Sequence, residues 1–226
     1  MFQKFSFPLH PNPILQYMEL RERIVSHAST LFFQKGIRSV SMSDIANDLG
    51  ISKRTLYEVF RDKEELLEEC IDKNMEEADR EFEILINDSE NVIDTLMRIY
   101  AKHLNDVKNI NKSVIHDLKK YHPRLHKKIE DRQKEGVDTF IPLFQRAVEQ
   151  GLMRDDINFE ILLWLLKSQF KILLEDEYMP TDKFSTQEFV RAIILNFTRG
   201  IATAKGDEKI EELMVKYNNN NKKQND

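Results

Sequence analysis

The chain of 226 residues is 41% hydrophobic and 32% charged, carries a net charge of −5, and contains one cysteine. A single cysteine excludes an intramolecular disulfide framework and suits a reducing compartment. The longest apolar run, residues 161–166, is too short to cross a bilayer, and prolines stand where a signal peptide would need its apolar core. We therefore expect a soluble, cytoplasmic protein that does not associate with a membrane.

The first seventeen residues contain three prolines and show no helical periodicity. We expect residues 1–17 to form a flexible extension, with a translation start at Met18 as the alternative. A first helix is predicted over residues 18–35, because apolar residues recur there at three- and four-residue spacing. Those residues are Leu20, Ile24, Ala28, Leu31 and Phe32.

Residues 41–60 have the pattern of a helix-turn-helix. The first helix spans 43–49, and Gly50 follows where only glycine takes the left-handed conformation without a steric penalty. Ser52 is a candidate N-cap for the second helix, which carries Lys53 and Arg54 in its exposed first turn. Two short helices joined in this way fit the major groove of DNA. The segment therefore predicts a DNA-binding protein.

Helical periodicity continues to about residue 217, and no Asn-Gly or Asp-Gly hairpin signal interrupts it. We predict an all-α fold of about nine to ten helices. Beyond the helix-turn-helix these cover residues 62–84, 90–104, 112–121, 124–150, 157–178, 185–204 and 207–217. The asparagine-rich segment 218–226 has no apolar residue and is predicted to be a disordered tail.

The spacing of residues 32–66 resembles the DNA-binding domain of the tetracycline-repressor (TetR) family. The motifs that carry the resemblance are Phe32–Gly36, Ser43–Ala46, Leu49–Ser52, Thr55–Tyr57, Phe60 and Lys63–Leu66. The family implies a three-helix DNA-binding domain over residues 18–78 and a larger helical domain for ligand binding and dimerisation over 79–217. It also implies a transcriptional regulator that binds operator DNA as a homodimer, and a repressor that a small-molecule effector releases.

Residues 19–63 carry eight Lys and Arg against six Asp and Glu, so this part of an acidic chain is locally basic. Phosphate affinity depends on that local footprint. Arg54 suits a guanine edge, and the other cations and hydroxyls suit phosphate oxygens, with packing of the domain as the alternative role of Thr55 and Tyr57. The residues expected to contact DNA are Met42, Ser43, Ser52, Lys53, Arg54, Thr55, Tyr57, Glu58 and Lys63.

Two residues depart from the family pattern. Arg54 stands where many members have glycine, and Glu58 stands where an aromatic residue or histidine is frequent. Glu58 would repel a phosphate, but its carboxylate is able to accept a hydrogen bond from a cytosine amino group. The operator of a relative therefore does not transfer to this chain.

The segment 161–174 is apolar nearly all round, which predicts burial on more than one side. The segment 189–201 repeats apolar residues at four-residue steps, and a monomer would leave that stripe exposed. By the family resemblance these two helices form the dimer interface, with a purely intrachain core as the alternative. The interface residues we expect are Leu165, Phe189, Ile193, Phe197, Gly200 and Ile201, with Gly200 permitting a close helix approach.

The family also implies a ligand pocket in the larger domain. Its candidate lining residues are Met97, Tyr100, His103, His116, Phe140, Phe144 and Trp164. The alternative is that methionine and aromatic residues at helical spacing fill the core.

Other chemistry has little support in the sequence. The histidines at 116, 122 and 126 lack further metal ligands, and no cofactor-binding motif occurs, so we expect no metal, no cofactor and no enzymatic activity. The competing functions are an all-α ligand carrier or enzyme with an incidental helix-turn-helix, and a TetR-like activator.

Overall fold

The computed structural model describes residues 13–106, 111–175, 180 and 183–223. Its helices are α1 (Pro13–Lys35), α2 (Met42–Asp48), α3 (Lys53–Val59), α4 (Lys63–Asn87), α5 (Val92–Asp106), α6 (Lys112–Tyr121), α7 (Pro123–Glu149), α8 (Phe159–Glu175), α9 (Thr186–Ile201) and α10 (Ala204–Lys223). No strand occurs in the described ranges, which agrees with the predicted all-α class. In the same ranges, no helix has both the length and the apolar character that a membrane span requires.

Both ends of the helical region differ from the prediction. Helix α1 begins at Pro13, so residues 13–17 are helical where we expected a flexible extension. Proline is well suited to a first helical turn, because its missing N–H has no intrahelical partner there in any case. Helix α10 continues to Lys223 and takes in residues 218–223, which we expected to be disordered. The predictions for residues 1–12 and 224–226 fall outside the described residues.

The chain separates into two compact units, Met1–Asn74 and Met75–Asp226. The division falls inside α4, four residues before the domain boundary that we predicted between residues 78 and 79. In the first unit, helices α1 to α4 each supply side chains to one core. The fully inaccessible ones include Ile24, Phe32, Ile45, Leu56, Phe60 and Leu66.

The second unit has its own core, to which α5, α7, α8, α9 and α10 contribute. Aromatic rings run through it. Phe140 lies 4.7 Å from Phe82 between ring centroids, and Phe144 stacks on Phe159 at 5.0 Å. Ring pairs at these separations stabilise a core beyond the contribution of their buried area.

Hydrogen bonds join the turn after α7 to the turn after α9. Thr203 donates its N–H to the Leu152 carbonyl at 3.1 Å and its hydroxyl to the Gly151 carbonyl at 2.8 Å. The Arg154 N–H donates to the Ile201 carbonyl at 2.9 Å. The start of α10 is therefore held against the end of α7.

Two glycines near this junction have different roles. A Cβ at Gly206 would lie 2.1 Å from the Leu152 carbonyl oxygen, so the close approach of backbone requires glycine. A Cβ at Gly200 would meet no atom of the described chain within 4 Å. Within one chain the close backbone approach is at Gly206, whereas the approach that we expected at Gly200 concerns a second subunit and stays a prediction.

We expect Gly206→Ala to lower the free energy of unfolding by about 1–3 kcal/mol, because the clash is with a hydrogen-bonded backbone carbonyl. Glu208→Ala is the control, because Glu208 is exposed on the same helix, and it should change stability by no more than about 0.5 kcal/mol. Denaturant unfolding followed by circular dichroism, at one protein concentration, measures both. Equal stability of Gly206→Ala and the wild type would contradict the prediction.

Candidate nucleic-acid interface

Helix α2 begins with a reciprocal capping box. The Asp44 N–H donates to the Ser41 hydroxyl at 3.2 Å, and the Ser41 N–H donates to the Asp44 carboxylate at 2.8 Å. The hydrogen bonds from the Ser41 hydroxyl and N–H lower the pKa of Asp44. We had not recognised this cap, although Ser-x-x-Asp ahead of an apolar helix is a known signal for a helix start.

The turn between α2 and α3 has the geometry predicted from Gly50. That residue has a φ of 66°. Its N–H donates to the Asn47 carbonyl at 3.1 Å, and the Ile51 N–H donates to the Ala46 carbonyl at 3.0 Å. This pair of bonds is the Schellman motif, which satisfies the last carbonyls of a helix. Ser52 then caps α3 by accepting the Thr55 N–H at 3.0 Å.

One face of α3 is exposed and carries four of the residues predicted to contact DNA. Arg54 and Glu58 form an ion pair on it, with 2.9 Å between Nε and Oε1 and side chains that are 88% and 59% exposed. Lys53 places its ammonium 5.9 Å from the centroid of the exposed Tyr57 ring. Leu56 and Val59 lie on the opposite, buried face. The helix therefore presents a polar edge that its own core contacts leave accessible.

The other predicted contact residues have partners within the first unit. The Met42 side chain is buried and that of Ser43 is half-buried, so for Met42 the prediction concerns only the backbone N–H. The Ser52 and Thr55 hydroxyls lie 2.8 Å apart in the cap of α3. Lys63 donates its ammonium to the Ile37 carbonyl at 2.5 Å. These residues shape the helix-turn-helix, whereas the four on the exposed face are available to a ligand.

Arg21, which we had not singled out, fixes the end of α3. Its Nη1 donates to the Val59 carbonyl at 3.0 Å, its Nε donates to Glu69 at 3.0 Å, and its guanidinium lies 4.4 Å from the Phe60 ring centroid. Burial alone would lower the pKa of Arg21, but the hydrogen bond and the charge of Glu69 raise it overall. One side chain of α1 thus joins the end of α3 to α4.

The single cysteine lies in the same unit. Cys70 is buried in α4, and its Sγ lies 3.5 Å from the Val25 carbonyl as a weak donor. Burial, and secondarily the charge of Glu69, raises the pKa of this thiol to about 12. The thiolate that would react with an oxidant is therefore scarce at neutral pH.

In the second unit, α8 and α9 form a groove of about 450 Å³ with a predominantly apolar lining. Five of the six residues that we predicted for a dimer interface line it, namely Leu165, Ile193, Phe197, Gly200 and Ile201. Two of the residues that line the groove are largely exposed, Ile161 at 58% and Leu165 at 52%. Phe189 lies outside the groove, with its ring edge-on to Phe184 at 6.0 Å.

The seven residues predicted for a ligand pocket lie in different surroundings. Met97, Tyr100 and Phe144 are buried in the core, and burial raises the pKa of Tyr100. Phe140 is half-buried, whereas His116 and Trp164 are exposed. The side chain of His103 falls outside the described residues. The three buried residues belong to the core of the second unit, and their part in a ligand pocket stays a prediction.

The comparison with known proteins agrees with this geometry. Residues 24–70 match the family model of bacterial regulatory proteins of the tetR family. The HTH-type transcriptional regulator YvaF of Bacillus subtilis is 27% identical over 80% of this chain and 94% of its own length. The HTH-type transcriptional repressor KstR2 of Mycolicibacterium smegmatis is 20% identical over 88% of this chain and 98% of its own.

The chain is a DNA-binding transcriptional regulator whose residues 24–70 match the tetR family. Its fold is shared by a transcriptional regulator from Saccharomonospora viridis that was solved in complex with choline. The two structures align with a TM-score of 0.69 and 19% sequence identity over 82% of this regulator and 99% of the other chain. At that identity the likeness concerns the fold alone. The segment from α2 to α3 has helix-turn-helix geometry and lies within the matched residues 24–70.

We expect Arg21→Met to lower the free energy of unfolding of the regulator by about 1–2 kcal/mol, because it leaves the Val59 carbonyl and Glu69 without their charged donor. Duplex binding should weaken with it, since the end of α3 loses its anchor. Arg61→Met is the matched control, because Arg61 is 80% exposed and its guanidinium bonds to the neighbouring Asp62. Urea unfolding and a gel shift measure the two effects. A loss of stability in the control equal to that of Arg21→Met would contradict the anchoring role.

Proposed function

We propose that this regulator is a homodimeric repressor that inserts α3 of each subunit into the major groove of an operator and leaves it when a small molecule binds. The observation that carries the proposal is the exposed polar edge of α3, with Lys53, Arg54, Tyr57 and Glu58. Lys53 and Tyr57 suit phosphate oxygens, and Arg54 suits the O6 and N7 atoms of guanine.

The Arg54–Glu58 pair gives this edge its sequence preference. In the free protein the carboxylate holds the guanidinium, so the pair presents little net charge to phosphate. On DNA the two side chains have different partners, because a guanine edge offers acceptors and a cytosine amino group offers a donor. A separation of four residues along a helix is about 6 Å, which spans roughly two base-pair steps. We therefore propose that Arg54 and Glu58 discriminate neighbouring positions of each operator half-site.

We expect Arg54→Ala to relax the preference at one guanine by about 1–3 kcal/mol, and Lys53→Ala to weaken binding to all sequences and reduce the salt slope by about one. Lys183→Ala is the control, since Lys183 is an exposed lysine of the second unit. Selection of binding sites from a random duplex library, followed by gel shifts at several salt concentrations, measures both effects. Unchanged duplex binding by Lys53→Ala/Arg54→Ala would refute the proposed use of α3.

A second copy of this chain is the occupant that we propose for the groove between α8 and α9. Monomeric proteins rarely expose contiguous apolar surface of this kind. The groove and the exposed side chains of Ile161 and Leu165 lie together on one face, as a self-complementary two-fold interface requires. In such a dimer the two copies of α3 lie one DNA turn apart, roughly 34–36 Å, or a multiple of that distance.

We expect Leu165→Glu to convert the dimer to a monomer and to lower operator affinity about a hundredfold or more, because two new carboxylates would be buried against apolar surface and the second half-site would be lost. Ile84→Glu is the matched control, since Ile84 is an isoleucine 58% exposed on α4, outside the groove. Light scattering after size-exclusion chromatography gives the mass, and circular dichroism checks folding. A folded Leu165→Glu protein that remains dimeric would refute the interface.

The proposal has three further parts: a small molecule releases the regulator, the regulator represses transcription, and it acts in the cytoplasm. A regulator of the same fold was solved in complex with choline, which supports release by a small molecule, and the name of the mycobacterial relative supports repression. Relatives that are named as regulators also support the absence of enzymatic activity. A cytoplasmic location is proposed because the operator is there.

A further inference from the structure

The ammonium group of Lys167 is buried, and it has no hydrogen-bond partner in the part of the chain that the structure describes. Lys167 belongs to α8, and its Nζ lies 5.6 Å from the centroid of the Trp164 ring. An aromatic face attracts a cation but does not accept the three hydrogen bonds that an ammonium donates. A buried charge without such partners is disfavoured, and proteins seldom retain one unless it has a use.

The surrounding charges make the absence of an anion more costly. Lys134 of α7 and Lys171 of α8 are near enough that their ammonium groups lower the pKa of Lys167 further, after burial, while Glu130 raises it. The Glu130 carboxylate is already engaged, because it accepts from Lys171 at 2.8 Å and lies 3.7 Å from the His126 Nδ1. Asp131 accepts from Lys134 at 3.0 Å. Among the side chains that the structure describes, this cluster therefore has three cations, and each of its two carboxylates already accepts from another lysine.

Lys167 does not face the proposed dimer interface. It follows Leu165 by two residues, which places it about 200° further around α8. A second subunit seated on the groove that Leu165 lines therefore covers the other side of the helix. A second subunit at that groove would therefore not supply an anion to Lys167.

The same two helices carry aromatic side chains at the edge of the core, where Phe140 and Phe159 are half-buried and pack against it. The pairs Lys171–Glu130 and Phe159–Phe144 show that α7 and α8 run antiparallel, so the aromatic residues lie toward one end of both. Phe140 follows Lys134 by six residues and Phe159 precedes Lys167 by eight, or about 9 and 12 Å of helix. A ligand with one anionic end and an apolar body matches this arrangement.

We infer that the effector of this regulator is an apolar carboxylate whose acid group binds the Lys167 ammonium between α7 and α8. The inference rests on the proposed function in one respect, that a small molecule acts on the second unit. It adds the chemical class of that molecule and the side chain that recognises its head group.

The chain contains one tryptophan, Trp164, so its fluorescence reports on the surroundings of Lys167. Full-length protein is titrated with octanoate, decanoate and dodecanoate, and with the alcohols of the same chain lengths. We expect at least one carboxylate to bind, its alcohol to bind about tenfold or more weakly, and Lys167→Met to lose about tenfold or more in carboxylate affinity, as for loss of a charge-assisted hydrogen bond. Failure of all three carboxylates, equal binding of the alcohols, or unchanged affinity in Lys167→Met would overturn the inference.

Thermal unfolding without ligand provides a second measurement. Methionine has a similar length without the charge, so we expect Lys167→Met to melt roughly 2–4 °C above the wild type, while Lys183→Met melts at the wild-type temperature. A lower melting temperature of Lys167→Met would indicate a structural role and would also overturn the inference. Gel shifts on the same proteins separate this test from the proposed function. Absence of duplex binding by the wild type refutes the regulator's use of α3, whereas carboxylate binding that leaves the DNA complex intact refutes the carboxylate as the effector and overturns the inference.

Discussion

The hydrogen bonds of the Arg21 guanidinium are the interaction on which the DNA-binding unit depends most. Helix α3 has only seven residues, and an isolated helix of that length is not stable in water. Its position therefore has to be imposed by neighbours at both ends. Ser52 supplies the start, Arg21 holds the last carbonyl, and Leu56 and Phe60 fill the core between them. Because these contacts all lie at the ends and on the buried side of α3, its exposed side chains are available for recognition.

Features determined by local chemistry could be predicted from the sequence. The positive φ of Gly50 and the cap at Ser52 follow from residues one or two positions away, and the structure has both. The roles of Arg21 and Lys63 could not be predicted, because their acceptors lie 38 and 26 residues away along the chain. A cation on a helix surface has the same sequence pattern whether it is solvated or bound to a distant carbonyl.

Helix α8 illustrates a second limit of sequence patterns. Its nearly continuous apolar composition predicted burial on several sides, and the structure divides those sides between the core and an open groove. Lys167 interrupts that composition as an ordinary surface lysine would. The sequence alone does not distinguish a solvated ammonium from one that is enclosed without an acceptor among the described side chains. The same difficulty applies to Gly200 and Gly206, whose different surroundings have no signature in the chain itself.

Because Cys70 is buried and is the single cysteine in the sequence, its thiol is a natural probe of local unfolding. With its pKa near 12 and its side chain inaccessible, the sulfur reacts with an alkylating reagent only during excursions that separate α4 from α1. The rate of alkylation would then report how often the DNA-binding unit opens locally, without an introduced probe. Operator DNA binds the closed form, so the rate of Cys70 alkylation should fall as the fraction of DNA-bound protein rises.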